Sequence, residues 1–336
     1  MKFLIIGFGS IGRRHFRNLI DLGERNILFL RSNRSTLADD EIAAFPAETD
    51  LDAALGHNPD AVIVSNPTAL HLDVAIPAAE AGCHLLLEKP ISDSMQRVDA
   101  LEKAVERGGG QVLVGFQFRY HPQLRQIAAL LADGVIGQAT SARVHWGEYL
   151  PSWHPWEDYR KGYSARKDLG GGVVLTLSHP LDYLRWLLGD VAALWAFSAQ
   201  IDALDIGVEA NAEIGLEFVD GALGSVHLDY VHRPPTHRLE IVGTQGNIRW
   251  DYIEGGLDVF RASVGKWIPN TLAEGFERND LFRDQMKHFL AVVRGDDVPL
   301  CTLDDGIWAQ KLAMAVHDSS ASGRVIRWGN RTSSRG

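Results

Sequence analysis

The 336-residue sequence predicts an α/β protein, with an N-terminal doubly wound parallel sheet followed by a strand-rich second domain. Three observations predict it. A short apolar run, Phe3–Ile6, passes directly into Gly7-Phe-Gly9-Ser10-Ile11-Gly12, and beyond it Ile11, Phe16, Leu19 and Ile20 recur at helical spacing. That is strand, glycine turn, helix. The fully apolar run Ala61–Val64 suits a parallel strand covered on both faces. The length exceeds that at which single hydrophobic cores stop growing, so two domains are expected, 1–120 and 121–330, with a tail at 331–336.

Taken in order, the elements of the first domain each present candidate site residues. Gly7 permits the tight turn, Gly9 lets a pyrophosphate approach the backbone, and Gly12 lets the helix lie close to the strand. The phosphates then sit at the positive helix N-terminus, where Ser10 and Ile11 join the glycines. The second strand, 26–30, ends where an NAD-specific protein places an Asp or Glu for the ribose 2′-hydroxyl. This chain has Arg31-Ser32-Asn33-Arg34 instead. A carboxylate there repels a 2′-phosphate, whereas guanidinium groups and a serine hydroxyl bind one by charge-assisted hydrogen bonds, so NADP is preferred over NAD.

Helical segments are expected near 35–45 and 51–55, and then the strand Ala61–Val64. It ends in Ser65-Asn66-Pro67-Thr68, with Thr68 as the cap of a helix over 69–81 that stops at Gly82. In a doubly wound sheet ligands lie beyond the carboxyl ends of the strands, so Ser65, Asn66, Pro67, Thr68 and His71 face the cofactor. The strand 83–87 delivers Glu88-Lys89-Pro90 to the same edge. There the Lys89 ammonium can hydrogen-bond a substrate hydroxyl and stabilise charge as a hydride leaves. A last strand, 111–114, runs into Gly115-Phe-Gln117-Phe-Arg119-Tyr-His121-Pro122. A glycine followed by aromatics and arginine reads as a hinge, with Gln117 at the cofactor and Arg119 at the substrate.

Gly7-x-Gly9-x-x-Gly12-x-x-His15, Asn66-Pro67-Thr68 with His71, Glu88-Lys89-Pro90, and Gly170-Gly-Gly172 with His179 and Asp182 resemble the glucose–fructose oxidoreductase, inositol dehydrogenase and rhizopine-catabolism family. The likeness covers nearly the whole chain. It implies a C-terminal α+β domain with a large open, mostly antiparallel sheet, whose uncovered face packs on a partner subunit in a homodimer or homotetramer. It implies reversible hydride transfer between a nicotinamide and a sugar, inositol, related polyol or nucleotide sugar. A Lys-Pro bond that is often cis also follows from it, as does the role of catalytic histidine for His179. Many relatives carry an Asp one turn before that histidine. This chain reads Leu175-Thr176 there, which leaves Asp182, Thr176 or Lys89 to orient the imidazole.

In the second half, a helix begins at Pro122 and is stopped by Gly134, and 138–149 is strand-like. The loop 150–167 is long, polar and rich in aromatics, and such loops in compact domains tend to be functional. Aromatic faces stack on the C–H faces of sugars, so Trp156, Tyr159, Arg160 and Tyr163 either line the substrate pocket or pack the loop over the sheet. Gly170-Gly-Gly172 opens a helix over 173–188 that sets His179, Asp182 and Tyr183 on one face. A histidine on an apolar helix is usually a packed core group, yet an imidazole of ordinary pKa near 6.5 suits removal of a hydroxyl proton as hydride departs. Strands are expected at 193–200, 210–218, 223–231, 238–242, 246–252 and 257–260, with Asp220-Gly221 and Gly243-Thr-Gln-Gly246 as hairpin turns. Two amphipathic helices, 280–294 and 303–322, close the chain.

Composition narrows the function. A net charge of −10 argues against nucleic acid or an anionic membrane as partner. No stretch approaches the roughly 20 apolar residues of a membrane span, and Gly7 interrupts the N-terminal apolar run, so a cytoplasmic protein is expected. Cys83 and Cys301 read as buried small hydrophobes. The 13 histidines form no HxH or HExxH pattern, and no metal is expected. The resulting expectation is an NADP-preferring oxidoreductase for a carbohydrate-like secondary alcohol or ketone. Two rivals stand beside it: an NAD-dependent glycoside hydrolase on the same fold, and a non-enzymatic NAD(P)-binding regulator. Lys89 and His179 argue against the regulator, and the missing carboxylate near Thr176 argues for it.

Overall fold

The computed structural model describes residues 1–32, 40–272 and 274–329. The chain forms two compact units. The first holds Met1–Tyr120 together with Asp168–Gly170 and Glu277–Gln310, and the second holds His121–Lys167, Gly171–Phe276 and the residues from Lys311 on. The expected second domain, 121–330, thus gives up two segments to the first.

In the first unit the chain runs β1 (Phe3–Ile6), α1 (Ser10–Asp21), β2 (Ile27–Leu30), β3 (Ala47–Glu48), α2 (Leu51–Gly56), β4 (Ala61–Val64), α3 (His71–Glu80), β5 (His84–Leu87), α4 (Val98–Gly108) and β6 (Val112–Val114). All six strands are parallel, in the order β3-β2-β1-β4-β5-β6. The strand order therefore reverses between β1 and β4, the crevice at which such sheets bind ligands. Every residue of β4 is fully buried, as a strand covered on both faces requires. Each such Val or Ile contributes roughly 1.5–3 kcal/mol through burial.

Two local expectations are corrected. The described part of the helix expected at 35–45 is a single 3₁₀ turn, Asp40–Ile42; residues 33–39, with Asn33 and Arg34 among them, lie outside the described residues. Thr68 caps no helix: it opens a 3₁₀ turn, Thr68–Leu70, and α3 starts at His71 without a capping side chain.

The second unit runs α5 (Pro122–Ala132), β7 (Ala139–Tyr149), α6 (Val173–Thr176), α7 (His179–Leu188), β8 (Val191–Ala199), β9 (Asn211–Phe218), β10 (Leu223–Asp229), β11 (Val231–Gly243), β12 (Gly246–Asp251), β13 (Gly256–Arg261) and β14 (Lys266–Thr271). After β14 come α8 (Arg278–Arg294), α9 (Leu303–Ser322) and β15 (Ile326–Arg327). The strands form one nine-stranded sheet, β14-β13-β12-β11-β7-β10-β9-β8-β15. It is antiparallel except where β10 runs parallel to β7. Alternation sorts its side chains: Val144, Trp146, Ile214, Val226 and Leu228 are buried, while Arg143, His145, Trp195, Phe197 and Glu213 are on the solvent side.

The single helix expected over 173–188 is broken. Pro180 has no N–H for the Thr176 carbonyl and its ring crowds that carbonyl, so α6 stops at Thr176 and α7 restarts at His179. The strand expected at 238–242 begins earlier, at Val231, because a register shift between Val231 and Thr236 absorbs Pro234 and Pro235. Strands β14 and β15 were not expected. The helices α8 and the start of α9 belong to the first unit, where Phe282, Met286 and Phe289 are buried. Cys83 and Cys301 are free and buried, and burial pushes the Cys83 thiol up to about 11. Among the described residues no helix is long and apolar enough to cross a membrane.

Candidate active site

The glycine turn is built by exclusion of side chains. Gly7 has φ +89°, and a Cβ on it would lie 2.4 Å from the Asn66 nitrogen. On Gly12 a Cβ would lie 2.1 Å from the Gly7 carbonyl oxygen, so close packing of α1 on β1 admits only hydrogen there. A Cβ on Gly9 would meet nothing within 4 Å. Gly9 is also the N-cap of α1, without a capping side chain and without an acidic residue in the first turn, so the helix end presents its N–H groups at open space. Those donors, that space and the positive end of the helix fit a pyrophosphate. Ser10 is exposed and Ile11 half-buried beside it.

The ends of β4 and β5 close the other side. The Ser65 hydroxyl lies 2.9 Å from the Gly7 carbonyl oxygen. The His71 ring joins both loops, its Nε2 lying 2.9 Å from the Asn66 carbonyl oxygen and its Nδ1 2.9 Å from that of Pro90. Burial draws His71 below its ordinary value, so a neutral ring donates to one of the two carbonyls. From α1, His15 Nε2 lies 2.7 Å from Glu88 Oε1, while Glu88 Oε2 accepts from the Lys89 backbone N–H at 3.2 Å. The Lys89-Pro90 peptide is cis. Gly7, Ser65, Asn66, His71, Glu88, Lys89 and Pro90 are thus gathered at one edge, with Thr68 and Gln117 buried within the unit. Asn66 Nδ2 donates to the Leu70 carbonyl, and the carbonyl of Pro67 accepts from the Leu70 N–H.

Arg31 follows β2, its backbone N–H donating to the Glu48 carbonyl at 2.8 Å and its guanidinium 5.6 Å from the Phe8 ring centroid. The guanidinium of Arg13 lies 4.3 Å from the same ring. Glu41, a carboxylate of the neighbouring turn, is bound by Arg13 and Arg17. Burial pushes Glu41 up, but those two guanidinium groups outweigh it and hold the carboxyl below its ordinary value. Ser32 is exposed.

In the second unit His179 is the first residue of α7 and is 2% exposed. Its ring lies 5.6 Å from that of Trp146, which stacks at 4.2 Å on His237. His237 Nε2 is 3.1 Å from the Tyr183 hydroxyl, and burial draws this imidazole well below its ordinary value, which leaves it neutral. Asp182 and Thr176 are buried, and the Tyr230 hydroxyl donates to the Ser164 carbonyl at 3.4 Å. Glu209 holds the start of α6, its Oε1 accepting from the Val174 N–H at 3.2 Å and lying 3.3 Å from His317 Nε2. Gly172, at φ +116°, makes room for that carboxylate, since a Cβ would lie 2.2 Å from Glu209 Oε1. Trp146, Glu209, Tyr230, His237 and His317 were not singled out from the sequence. Trp146 and His237 sit on β7 and β11, His317 on α9, and Glu209 and Tyr230 in the connections before β9 and after β10, at separations that carry no local signal.

Three expected substrate residues are engaged elsewhere. Arg119, 3% exposed, donates to the Leu300 carbonyl at 2.9 Å and to Asp305 at 3.0 Å. The Tyr159 hydroxyl donates to the Leu204 carbonyl at 2.8 Å, and Arg160 pairs with Asp158 and Asp205. Of the same loop, Trp156 is 69% exposed and Tyr163 39% exposed. Lys89 belongs to the first unit and His179 to the second.

Residues 1–116 match the model of an oxidoreductase family with an NAD-binding Rossmann fold, and residues 124–249 match the GFO/IDH/MocA C-terminal domain. The 1,5-anhydro-D-fructose reductase of Ensifer adhaerens is 27% identical over 274 residues, 79% of each chain. The myo-inositol 2-dehydrogenase of Thermotoga maritima is 25% identical over 345 residues, 97% of this chain and 98% of that one. A levoglucosan dehydrogenase solved with NADH and levoglucosan shares the fold with a TM-score of 0.84 at 20% identity, over 97% of this chain and 99% of that chain. Both halves matched, the chain belongs to the GFO/IDH/MocA oxidoreductase family, with an NAD-binding Rossmann domain at its N-terminus.

Proposed function

We propose that this protein is an NADP-preferring dehydrogenase or reductase for a secondary alcohol or ketone of a sugar, inositol, related polyol or nucleotide sugar. The observation that carries the reading is the open space at Gly9 before α1, on the sheet edge to which β5 also delivers Lys89. The relatives named above, a sugar reductase and an inositol dehydrogenase, supply the substrate class.

In this reading Gly7, Gly9, Ser10, Ile11 and Gly12 hold the pyrophosphate, while Ser65, Asn66, Pro67, Thr68, His71, Glu88, Pro90 and Gln117 shape the rest of the nucleotide site. The nicotinamide, when bound, supplies the hydride acceptor or donor. His179 takes the hydroxyl proton on oxidation and returns it on reduction. Lys89 donates a hydrogen bond to the reacting oxygen and stabilises its developing charge. Thr176 and Asp182 help set the imidazole, and the exposed faces of Trp156 and Tyr163 take the C–H face of a sugar. Arg31 and Ser32, with Asn33 and Arg34, take the 2′-phosphate, since no carboxylate follows β2 directly. Trp195, 46% exposed, and Phe197, 67% exposed, mark the sheet face through which a homodimer or homotetramer assembles. A cytoplasmic location, with its nicotinamide nucleotides, completes the reading.

The test is a screen of sugars, inositols, polyols and nucleotide sugars with both oxidised cofactors, and of the matching ketones with both reduced ones. Turnover with at least one such compound is expected, with the higher kcat/KM for NADP and loss of that preference in Arg31→Ala. Tight cofactor binding without any turnover would count against an enzyme and for a regulator. Release of an aglycone without net cofactor reduction would point to a hydrolase.

A further inference from the structure

On the solvent side of the nine-stranded sheet, three histidines surround one carboxylate. His145 comes from β7, His227 and Asp229 from β10, and His232 from β11, which are adjacent strands in the order β11-β7-β10. Asp229 Oδ2 lies 3.1 Å from His227 Nε2, 3.4 Å from His232 Nδ1 and 4.0 Å from His145 Nε2. The other carboxylate oxygen, Oδ1, is already used, accepting from the Val231 N–H at 2.8 Å. The Asp229 side chain is 4% exposed, those of His232 and His145 34% and 45%, so the group opens to solvent on one side only.

We infer that His145, His227, Asp229 and His232 form a zinc site that clips three strands of this sheet together. The donor set is the first argument. Three imidazoles and a carboxylate suit Zn²⁺ or a neighbouring transition metal, whereas Ca²⁺ and Mg²⁺ select oxygen ligands. Distances are the second. Ligands at about 2.0–2.1 Å from a tetrahedral zinc lie about 3.3 Å from one another. The separations of 3.1, 3.4 and 4.0 Å around Asp229 Oδ2 bracket that value, and the donor atoms of His145, His227 and Asp229 all lie within 4.8 Å of one another.

A supporting contact is the third argument. Glu213, opposite His227 on β9, has its Oε1 2.6 Å from His227 Nδ1. Glu213 holds the proton on Nδ1, while Nε2, which hydrogen-bonds Asp229 Oδ2 at 3.1 Å, faces the site and gives up its proton when a metal binds, which yields the carboxylate–histidine–metal arrangement. The backbone also makes room. Gly147, paired with Asp229, is where a Cβ would lie 2.2 Å from Asp229 Oδ2 and 2.5 Å from the His232 Cβ. The sequence shows no metal motif because positions 145, 227, 229 and 232 meet only through strand register.

The test uses the full chain without a histidine tag, stripped with a chelator and titrated with Zn²⁺ by calorimetry, with Co²⁺ as the spectroscopic probe. One Zn²⁺ per chain is expected, together with the intense visible bands of tetrahedral Co²⁺ and a rise in Tm on adding Zn²⁺. His145→Ala and His227→Ala should each abolish that binding, and Glu213→Gln should weaken it about 10–100-fold. His145 is half exposed, so its variant keeps the fold, and the Co²⁺ spectrum of the unsubstituted chain reads the geometry independently. Binding that is unchanged in His145→Ala and His227→Ala, or only the weak bands of octahedral Co²⁺, would overturn the proposal. So would the absence of stoichiometric Zn²⁺.

Discussion

At the scale of single residues, the glycine turn separates packing from binding. Gly12→Ala drives a Cβ to 2.1 Å from the Gly7 carbonyl oxygen, so the helix must shift, at a cost of about 1–3 kcal/mol in overpacking. Gly9→Ala meets nothing within 4 Å and should leave denaturant unfolding unchanged. It should nevertheless weaken nucleotide binding, by about 1.5–3 kcal/mol for one hydrogen bond lost to a charged phosphate. Unfolding curves and cofactor titrations of the two variants check the contrast; an equal loss of stability in both would contradict it. This turn was legible in the sequence because strand, glycines and helix are consecutive. Arg119 was not, because its partners Leu300 and Asp305 lie far along the chain and its chemistry suits an ion pair as well as a substrate. Glu209 escaped notice for the same reason: its contact with Gly172 and Val174 is long-range.

At the scale of elements, the start of α9 is fixed by a reciprocal cap. The Thr302 N–H donates to Asp305 Oδ2 at 3.0 Å, and the Asp305 N–H donates to Thr302 Oγ1 at 3.2 Å. Arg119 pairs with the same carboxylate. Burial pushes Asp305 up, but the Arg119 charge and the Thr302 hydrogen bonds outweigh it and hold the carboxyl below its ordinary value. A lowered folded-state value contributes stability above the unfolded value of about 3.9, and that stability is lost as pH falls through the folded value. Asp305→Asn leaves the Arg119 charge buried without its counter-ion, and should cost roughly 3 kcal/mol at neutral pH. Urea unfolding at a series of pH values should show that difference shrinking below about pH 4. A difference independent of pH would contradict the assignment.

Helix boundaries were readable wherever proline or glycine marks them, as at Pro122 and Gly134, because those residues act locally. The break before His179 was readable in principle from Pro180, whose missing N–H faces the Thr176 carbonyl. Strands β14 and β15 were not readable. The first is a half-exposed hairpin strand containing Pro269, and the second has only two residues, so neither carries a pattern of its own.

At the scale of the whole molecule, the two units are discontinuous in sequence. The length predicts two domains, but Asp168–Gly170 and Glu277–Gln310 join the first unit through packing that no local pattern announces. The open sheet face makes a further prediction. Phe197→Glu places a charge on its most exposed aromatic and should convert the expected oligomer to monomer in light scattering. An unchanged mass would remove that face from the assembly.

In the proposed reaction Lys89 and His179 both act on the oxygen of the substrate carbon that exchanges its hydride with the nicotinamide. Single-turnover cofactor reduction, followed across pH with a substrate from the screen, tests it most directly in the unsubstituted chain, His179→Asn and Lys89→Met. Cofactor affinity should be unchanged in His179→Asn while its rate falls about 10²–10⁴-fold and its pH profile changes shape. Lys89→Met should lower the rate about 10²–10³-fold. A full rate in either variant, or an unaltered pH profile in His179→Asn, would contradict the account.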